Sequence, residues 1–286
     1  MQWLEALVQG ILLGGLYAQY ALGMTLMFGV MRIVNVAHGD LLILLSFCAI
    51  SLSAALGVGP VTVTGVLVPL AALGGYLLQR VLLNRVVGPD PLPSLIATFG
   101  LSTTIQNLLL EIYTADARSL VGDGLESASV ALGPLNLGLL SLLTLLAAVV
   151  LTVGVHLMLR HTAFGLSLRA SAADAEASAL TGVNPRHVYA GATSIAVGVL
   201  GLSAVFQALR VTVSPADGAA QLIHAFEAVI IGGMGSVWGA FWGAMVLGIA
   251  QVVGARIDAG WGTLAGHLVF LAVLGLRPRG LFSRSP

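Results

Sequence analysis

The chain has 286 residues, of which 58% are hydrophobic and 8% charged, with a mean hydropathy of +1.00 and a formal net charge of zero. Soluble domains carry about 25% charged residues, so this composition excludes a water-soluble protein and places the chain in a bilayer. All twelve cations are Arg; without Lys there is no G-x-x-x-x-G-K-[ST] phosphate loop, and if transport by this chain uses ATP another chain must hydrolyse it.

The apolar runs are long and continuous, which points to an all-α, polytopic helical protein and away from a membrane β-barrel. The first run, about 4–29, is too long for a cleavable leader, lacks a basic start and reads as a retained span. It leads into Met31-Arg32-Ile-Val-Asn35-Val-Ala-His38-Gly39-Asp40, where two charges, an amide and an imidazole sit between apolar segments. Such groups are costly inside a membrane unless they pair or line water. Arg32 and Asp40 are placed to pair. Two readings stand: an interfacial turn with Arg32 snorkelling, or a broken helix whose backbone lines a substrate route.

Further spans follow at about 40–57, 61–79, 94–112 and 137–158. Cys48 lies in the first of these and has no metal-site spacing around it. Thr98, Ser102, Thr103 and Thr104 are expected to bond back to their own helix. Gln19, Gln106, Asn107, Gln207 and Glu227 are expected to hydrogen-bond between helices. His156 and His161 are off the spacing of a helical metal pair, and no metal ligands are assigned.

A charged interruption occupies 160–187. Ser171-Ala-Ala-Asp174 reads as the capped start of one short helix, Ser171 to about Thr181, closed at Gly182 by a left-handed backbone. Asn184-Pro185 then starts the next span, about 188–209. The apolar run 222–255 is too long for one crossing. Its break, Gly232-Gly233-Met-Gly235-Ser236-Val-Trp238-Gly239, reads either as tight helix packing or as a discontinuous helix exposing backbone groups at mid-membrane. A last span covers about 261–276, for eight to ten membrane segments in all.

Arg placement sets orientation. Arg80, Arg85, Arg160, Arg169, Arg186, Arg277, Arg279 and Arg284 fit on one side, which is then cytoplasmic. The opposite loops, 113–136 and 210–221, hold Arg118 and Arg210 with Asp116, Asp123, Glu126 and Asp217, and read as external.

Three stretches then carry a resemblance. Phe164-Gly165-x-x-Leu168-Arg169-Ala170 with Asp174-x-x-Ala177-x-x-Leu180-x-Gly182-Val183 resembles the cytoplasmic coupling loop of the LivH-type permeases of branched-chain amino acid ABC transporters. Gly14-Gly15-Leu16-Tyr17-Ala18 through Asn35-x-Ala37-His38-Gly39-Asp40 is similar to their N-terminal signature. Ile231-Gly232-Gly233-Met234-Gly235-Ser236-Val237-x-Gly239-Ala240 and Arg277-Pro278-x-Gly280-Leu281-Phe282 are similar to their C-terminal motifs. Val36 and Asp40 depart from the usual Phe and Glu.

The resemblance implies a type II-like ABC importer permease, one transmembrane domain over 1–286 with a coupling loop at 159–187, in a bacterial cytoplasmic (inner) membrane. Its implied partners are two ABC ATPase subunits, a second, LivM-type permease and an external substrate-binding protein, with no nucleic acid. ATP and Mg would sit on the ATPases and no cofactor on this chain. Gly165, Arg169, Ser171, Asp174, Ala177, Leu180 and Gly182 would meet the ATPase. Asn35, His38, Gly39, Gly232, Gly233, Gly235, Ser236 and Gly239 are the candidate pathway residues. The implied cargo is a branched-chain or other small aliphatic amino acid, with urea or short amides as the alternative. A self-contained secondary transporter is the competing class, with Glu227 and Asp40 as its only candidate acids. With no HExxH and no G-x-S-x-G, no catalytic residue is assigned and the chain is not expected to be an enzyme.

Overall fold

In the computed structural model, residues 2–282 are described except 32, 34, 89, 123, 133 and 134. Eleven α-helices follow in chain order: α1 Gln2–Met31, α2 His38–Leu56, α3 Pro60–Val81, α4 Leu92–Tyr113, α5 Leu139–His161, α6 Ala163–Ala173, α7 Ala175–Leu180, α8 Pro185–Arg210, α9 Gly218–Gly232, α10 Val237–Ile257 and α11 Trp261–Leu276. Seven segments among the described residues are long and apolar enough to cross a membrane, and α9 and α11 are shorter apolar helices. The 222–255 run is two helices, as its length demands.

Helix boundaries follow local chemistry. Pro60 and Pro185 occupy first-turn positions, where a missing N–H costs nothing. The Asn184 carboxamide caps α8 by accepting from the His187 amide at 3.3 Å. Gly57 ends α2 in a left-handed conformation.

The most buried helix is α1, packed on α5, α8, α9 and α10. Around it α8 packs on α2 and α3. Leu70, Leu73 and Leu77 of α3, Ile96 and Phe99 of α4, and Leu268 and Leu271 of α11 stay exposed. In water that surface would aggregate; in hydrocarbon it is the solvent-matched face.

One end of the bundle gathers the arginines. The Asn84 amide donates to the Arg186 carbonyl at 3.2 Å, which joins the 82–91 connection to the start of α8. Arg160, Arg169, Gly29, Ser236 and Phe282 wall one cavity, so the ends of α1 and α5, the start of α10 and the C-terminal tail share that end. The positive-inside rule makes it cytoplasmic. At the other end Arg118 bridges to Val213, and the Leu120 amide donates to the Ala208 carbonyl at 2.8 Å. The N-terminal end of α1 therefore lies externally. Arg284 and Asp123 lie outside the described residues.

One feature of the external loop was not expected. Ser129–Leu132 and Leu135–Gly138 pair antiparallel, Ser129 opposite Gly138 and Val130 opposite Leu137. The span read as starting near 137 starts at Leu139 instead. The Val130-Ala-Leu run is long enough for a short strand.

Candidate functional site

The first interruption is a broken helix. After α1 ends at Met31, the chain turns back and α2 starts beside the middle of α1: His38 Nε2 pairs with the Tyr20 carbonyl at 3.0 Å, about three turns before the end of α1. Non-helical backbone at this depth needs protein partners, and it has them. The Val36 amide donates to Thr98 Oγ1 at 3.2 Å, the Ala37 amide to Asn35 Oδ1 at 3.1 Å, and the His38 amide to the Asn35 carbonyl at 3.1 Å. Asn35 Nδ2 reaches the Met27 sulfur at 3.6 Å. Asn35 and His38 are thus buried within the protomer.

Two expectations change here. Asp40 accepts a 2.6 Å hydrogen bond from Ser102, so Ser102 bridges two helices instead of bonding back to its own. Arg32, the proposed partner of Asp40, lies outside the described residues. Gly39 faces no open route: a Cβ there would lie 1.9 Å from the Gly218 carbonyl oxygen, so this glycine lets the starts of α2 and α9 touch.

The second interruption also differs from the open mid-membrane reading. Gly233 and Gly235 take positive φ values of 105° and 82°, and Ser236 caps α10 by accepting from the Gly239 amide at 3.0 Å. The last carbonyls of α9 are occupied. The Leu281 amide donates to Ile231 at 2.9 Å and the Phe282 amide to Gly232 at 3.1 Å. The C-terminal tail thereby plugs the break at the cytoplasmic end. Gly232 and Gly239 face each other across the α9–α10 contact. Gly235, Ser236 and Gly239 line the cytoplasmic cavity.

Between α1, α8, α9, α10 and α11 lies a polar cluster that sequence reading met only in part. Tyr17 donates to Gln251 Oε1 at 2.6 Å and stacks on His224 at 4.8 Å between centroids. Tyr20 bonds Gln207, and His267 pairs with buried Glu227. Arg210 lies within electrostatic reach of both tyrosines. Among the described residues, Glu227 Oε2, His224 Nδ1, Gln251 Nε2 and an Arg210 guanidinium nitrogen find no hydrogen-bond partner. Gln207 and Glu227 act between helices as expected; the signal missed was the recurrence of Tyr17, His224 and His267 inside apolar runs.

The cytoplasmic connection is two helices, not one. Thr162 caps α6 through the Gly165 amide at 3.0 Å. Asp174 caps α7, its Oδ1 accepting from the Glu176 and Ala177 amides at 2.9 Å each. Ser171 is no cap. It is buried inside α6, its hydroxyl 3.2 Å from that of Ser178, and its carbonyl accepts from Tyr189. Leu168 drives this arrangement: fully buried against Val188 and Ala192, it holds α6 helical past Ser171. Gly165 is buried where α6 folds onto the last turn of α5. Gly182 has φ 88° and closes α7 as expected. Arg169 and Ala177 are exposed, and Leu180 is 91% exposed.

A bundle of membrane-length helices, two of them starting from breaks, with a capped helix pair at the arginine-rich end, defines a polytopic permease. The family of permease components of branched-chain amino acid transport systems matches residues 6–274, and the chain belongs to it. It is of the LivH type: it is 27% identical to the high-affinity branched-chain amino acid transport system permease protein BraD of Pseudomonas aeruginosa, across 99% of this chain and 96% of that one. It is 26% identical to LivH of Escherichia coli over the same shares. A chain of PsaBC from Streptococcus pneumoniae, solved in complex with a Fab, shares the fold at a TM-score of 0.51 and 12% identity, covering 98% of this chain and 93% of that one.

Proposed function

We propose that this chain forms half of the membrane pathway of an ATP-driven importer for branched-chain or other small aliphatic amino acids in a bacterial cytoplasmic membrane. Two ABC ATPases supply the energy, a LivM-type permease supplies the other half, and an external binding protein delivers cargo to the 114–138 face. The observation that carries this reading is Leu180. It is an apolar side chain, 91% exposed, at the tip of a capped helix on the arginine-rich end. A single exposed leucine is ordinary on a protein surface; what gives this one weight is its place at the end of the capped helix in the stretch that resembles the family's coupling loop. Exposed Arg169, Asp174 and Ala177 flank it on the same connection, with Gly182 setting its exit angle.

Asn35, His38 and Gly39 at the first break, and Gly232, Gly233, Gly235, Ser236 and Gly239 at the second, frame the joints that let the walls of the pathway shift. The Arg210 guanidinium nitrogen and the Glu227 Oε2 that lack hydrogen bonds among the described residues match the carboxylate and ammonium ends of a free amino acid. This chain binds no cofactor; ATP and Mg belong to the partner.

The test is uptake of labelled leucine into vesicles holding the chain with its candidate ATPases, second permease and binding protein. ATP-dependent uptake that is lost with Leu180→Arg is the expected result. Uptake that persists without any ATPase and collapses with the proton gradient would instead establish a secondary transporter.

A further inference from the structure

A cavity of about 690 Å³ opens at the cytoplasmic end between α1, α5, α6 and α10. Its polar lining includes Arg160, Arg169, His156 and Ser236, and no carboxylate lines it. Neither arginine forms an ion pair among the described residues. Thr25 also faces it. That side chain is 2% exposed, and its hydroxyl finds no hydrogen-bond partner among the described residues. Helical threonines ordinarily bond back to their own helix, as Thr144 and Thr152 do at 2.7 Å. A buried hydroxyl and two exposed guanidinium groups thus line one space, a set that an anionic, hydrogen-bonding ligand would satisfy.

What lies next to the cavity narrows the class. A second hollow of about 350 Å³ begins at the same Trp242 and Phe282. It runs along α10 past Met245 to Ile249, between Ile11 of α1 and Val149 of α5, and only apolar side chains line it. Because α10 leads away from the cytoplasmic end, this groove lies at hydrocarbon depth. Trp238 and Trp242 mark the border, where indole rings favour the headgroup level. A free amino acid or inorganic phosphate fills only the first space. An anionic phospholipid fills both.

We propose that the joined cavity and groove hold one anionic phospholipid, its phosphate between Arg160 and Arg169 and an acyl chain along Trp242, Met245 and Ile249. The bound headgroup would lie directly against α6, so the lipid composition of the cytoplasmic leaflet would bear on the helix pair that α6 begins. The lipid site stands on the cavity alone and does not depend on the importer reading.

The test uses the full chain carrying Trp3→Phe and Trp261→Phe, which leaves Trp238 and Trp242 as reporters. In detergent it is titrated with phosphatidylglycerol or phosphatidylcholine bearing brominated acyl chains, which quench nearby indoles. Phosphatidylglycerol should half-quench at about thirtyfold lower mole fraction, given two interfacial arginines at about 1 kcal/mol each. Arg160→Gln should move its curve toward that of phosphatidylcholine. Val149→Phe, a lipid-facing substitution that fills the groove, should weaken phosphatidylglycerol quenching without touching the charges. Superimposed curves for the two lipids overturn the proposal, as does an unchanged curve for Arg160→Gln. Displacement of the brominated lipid by inorganic phosphate would show a free-anion site and overturn it as well.

Discussion

Replacing Gly232 by Ala tests the α9–α10 contact directly. The added Cβ would sit 2.0 Å from the Gly239 carbonyl oxygen and 2.7 Å from the Ala240 nitrogen. An ordinary C···O contact is about 3.3 Å, so one helix must move by about 1.3 Å. The obstacle is backbone, so no rotamer change relieves it. The displacement also pulls on the Phe282 amide, which donates to the Gly232 carbonyl. Overpacking of this kind costs about 1–3 kcal/mol, or roughly 2–12 °C in a melting midpoint. The assay is the fraction of detergent-solubilised protein that stays monodisperse on size exclusion after heating. Gly74→Ala is the control: a Cβ on that glycine of α3 meets nothing within 4 Å, and Ala gains about 1 kcal/mol of helix propensity over Gly. Gly74→Ala should melt with the parent or slightly above it. If Gly232→Ala also melts with the parent, the breaks are loose and the packing argument fails.

Asp174→Ala removes the cap of α7 and should cost about 1 kcal/mol locally. Limited proteolysis should then cut between 174 and 184 faster while α6, capped by Thr162, stays protected; equal protection of both would contradict the assignment. Gly182→Pro and Arg169→Glu should both reach the membrane in normal amount yet lose co-purification of the ATPase, and normal recovery of the ATPase with either would count against the docking surface. His267→Ala leaves the buried Glu227 carboxylate without its donor and should cost up to about 3 kcal/mol, more than Glu227→Gln, which keeps a hydrogen bond and removes the charge. Thermal melting of the two variants in the same detergent decides that order, and the reverse order would remove the pair from the structural argument.

Apolar run length made most of the spans and the break within 222–255 readable from the chain, and Arg placement picked out loops that the structure gathers at one end. Gly182 and Asn184-Pro185 were readable too, because they rest on local backbone chemistry that travels with the residue. The split of 160–187 was not. Ser171 and Asp174 are both competent caps, and only the burial of Leu168 against α8 decides between them. Contacts between distant backbones were equally hidden. Nothing near Gly39 announces Gly218, and nothing near Gly232 announces that the tail amides of Leu281 and Phe282 close its carbonyls. The polar cluster was half visible: Glu227 stood out by its charge, whereas Tyr17 and Gln251 become partners only once α1 and α10 pack.

The placement of α8 has a mechanical consequence. Its first turn adjoins α7 and the arginine-rich connection, and its last turns are tied to the external loop through the Ala208 carbonyl, with the Arg118–Val213 bridge just beyond its end. It is continuous over 26 residues, a rod of about 39 Å with no proline past its first turn. A tilt imposed on one end is therefore felt at the other. In the proposed importer, linkage would then run both ways: whatever nucleotide state did to the grip of the outer loop on a delivery protein, the arrival of that protein would do in equal free energy to the grip on the ATPase. A single helix would let an occupied receptor outside and a loaded motor inside each favour the other's arrival, with no contact between the two.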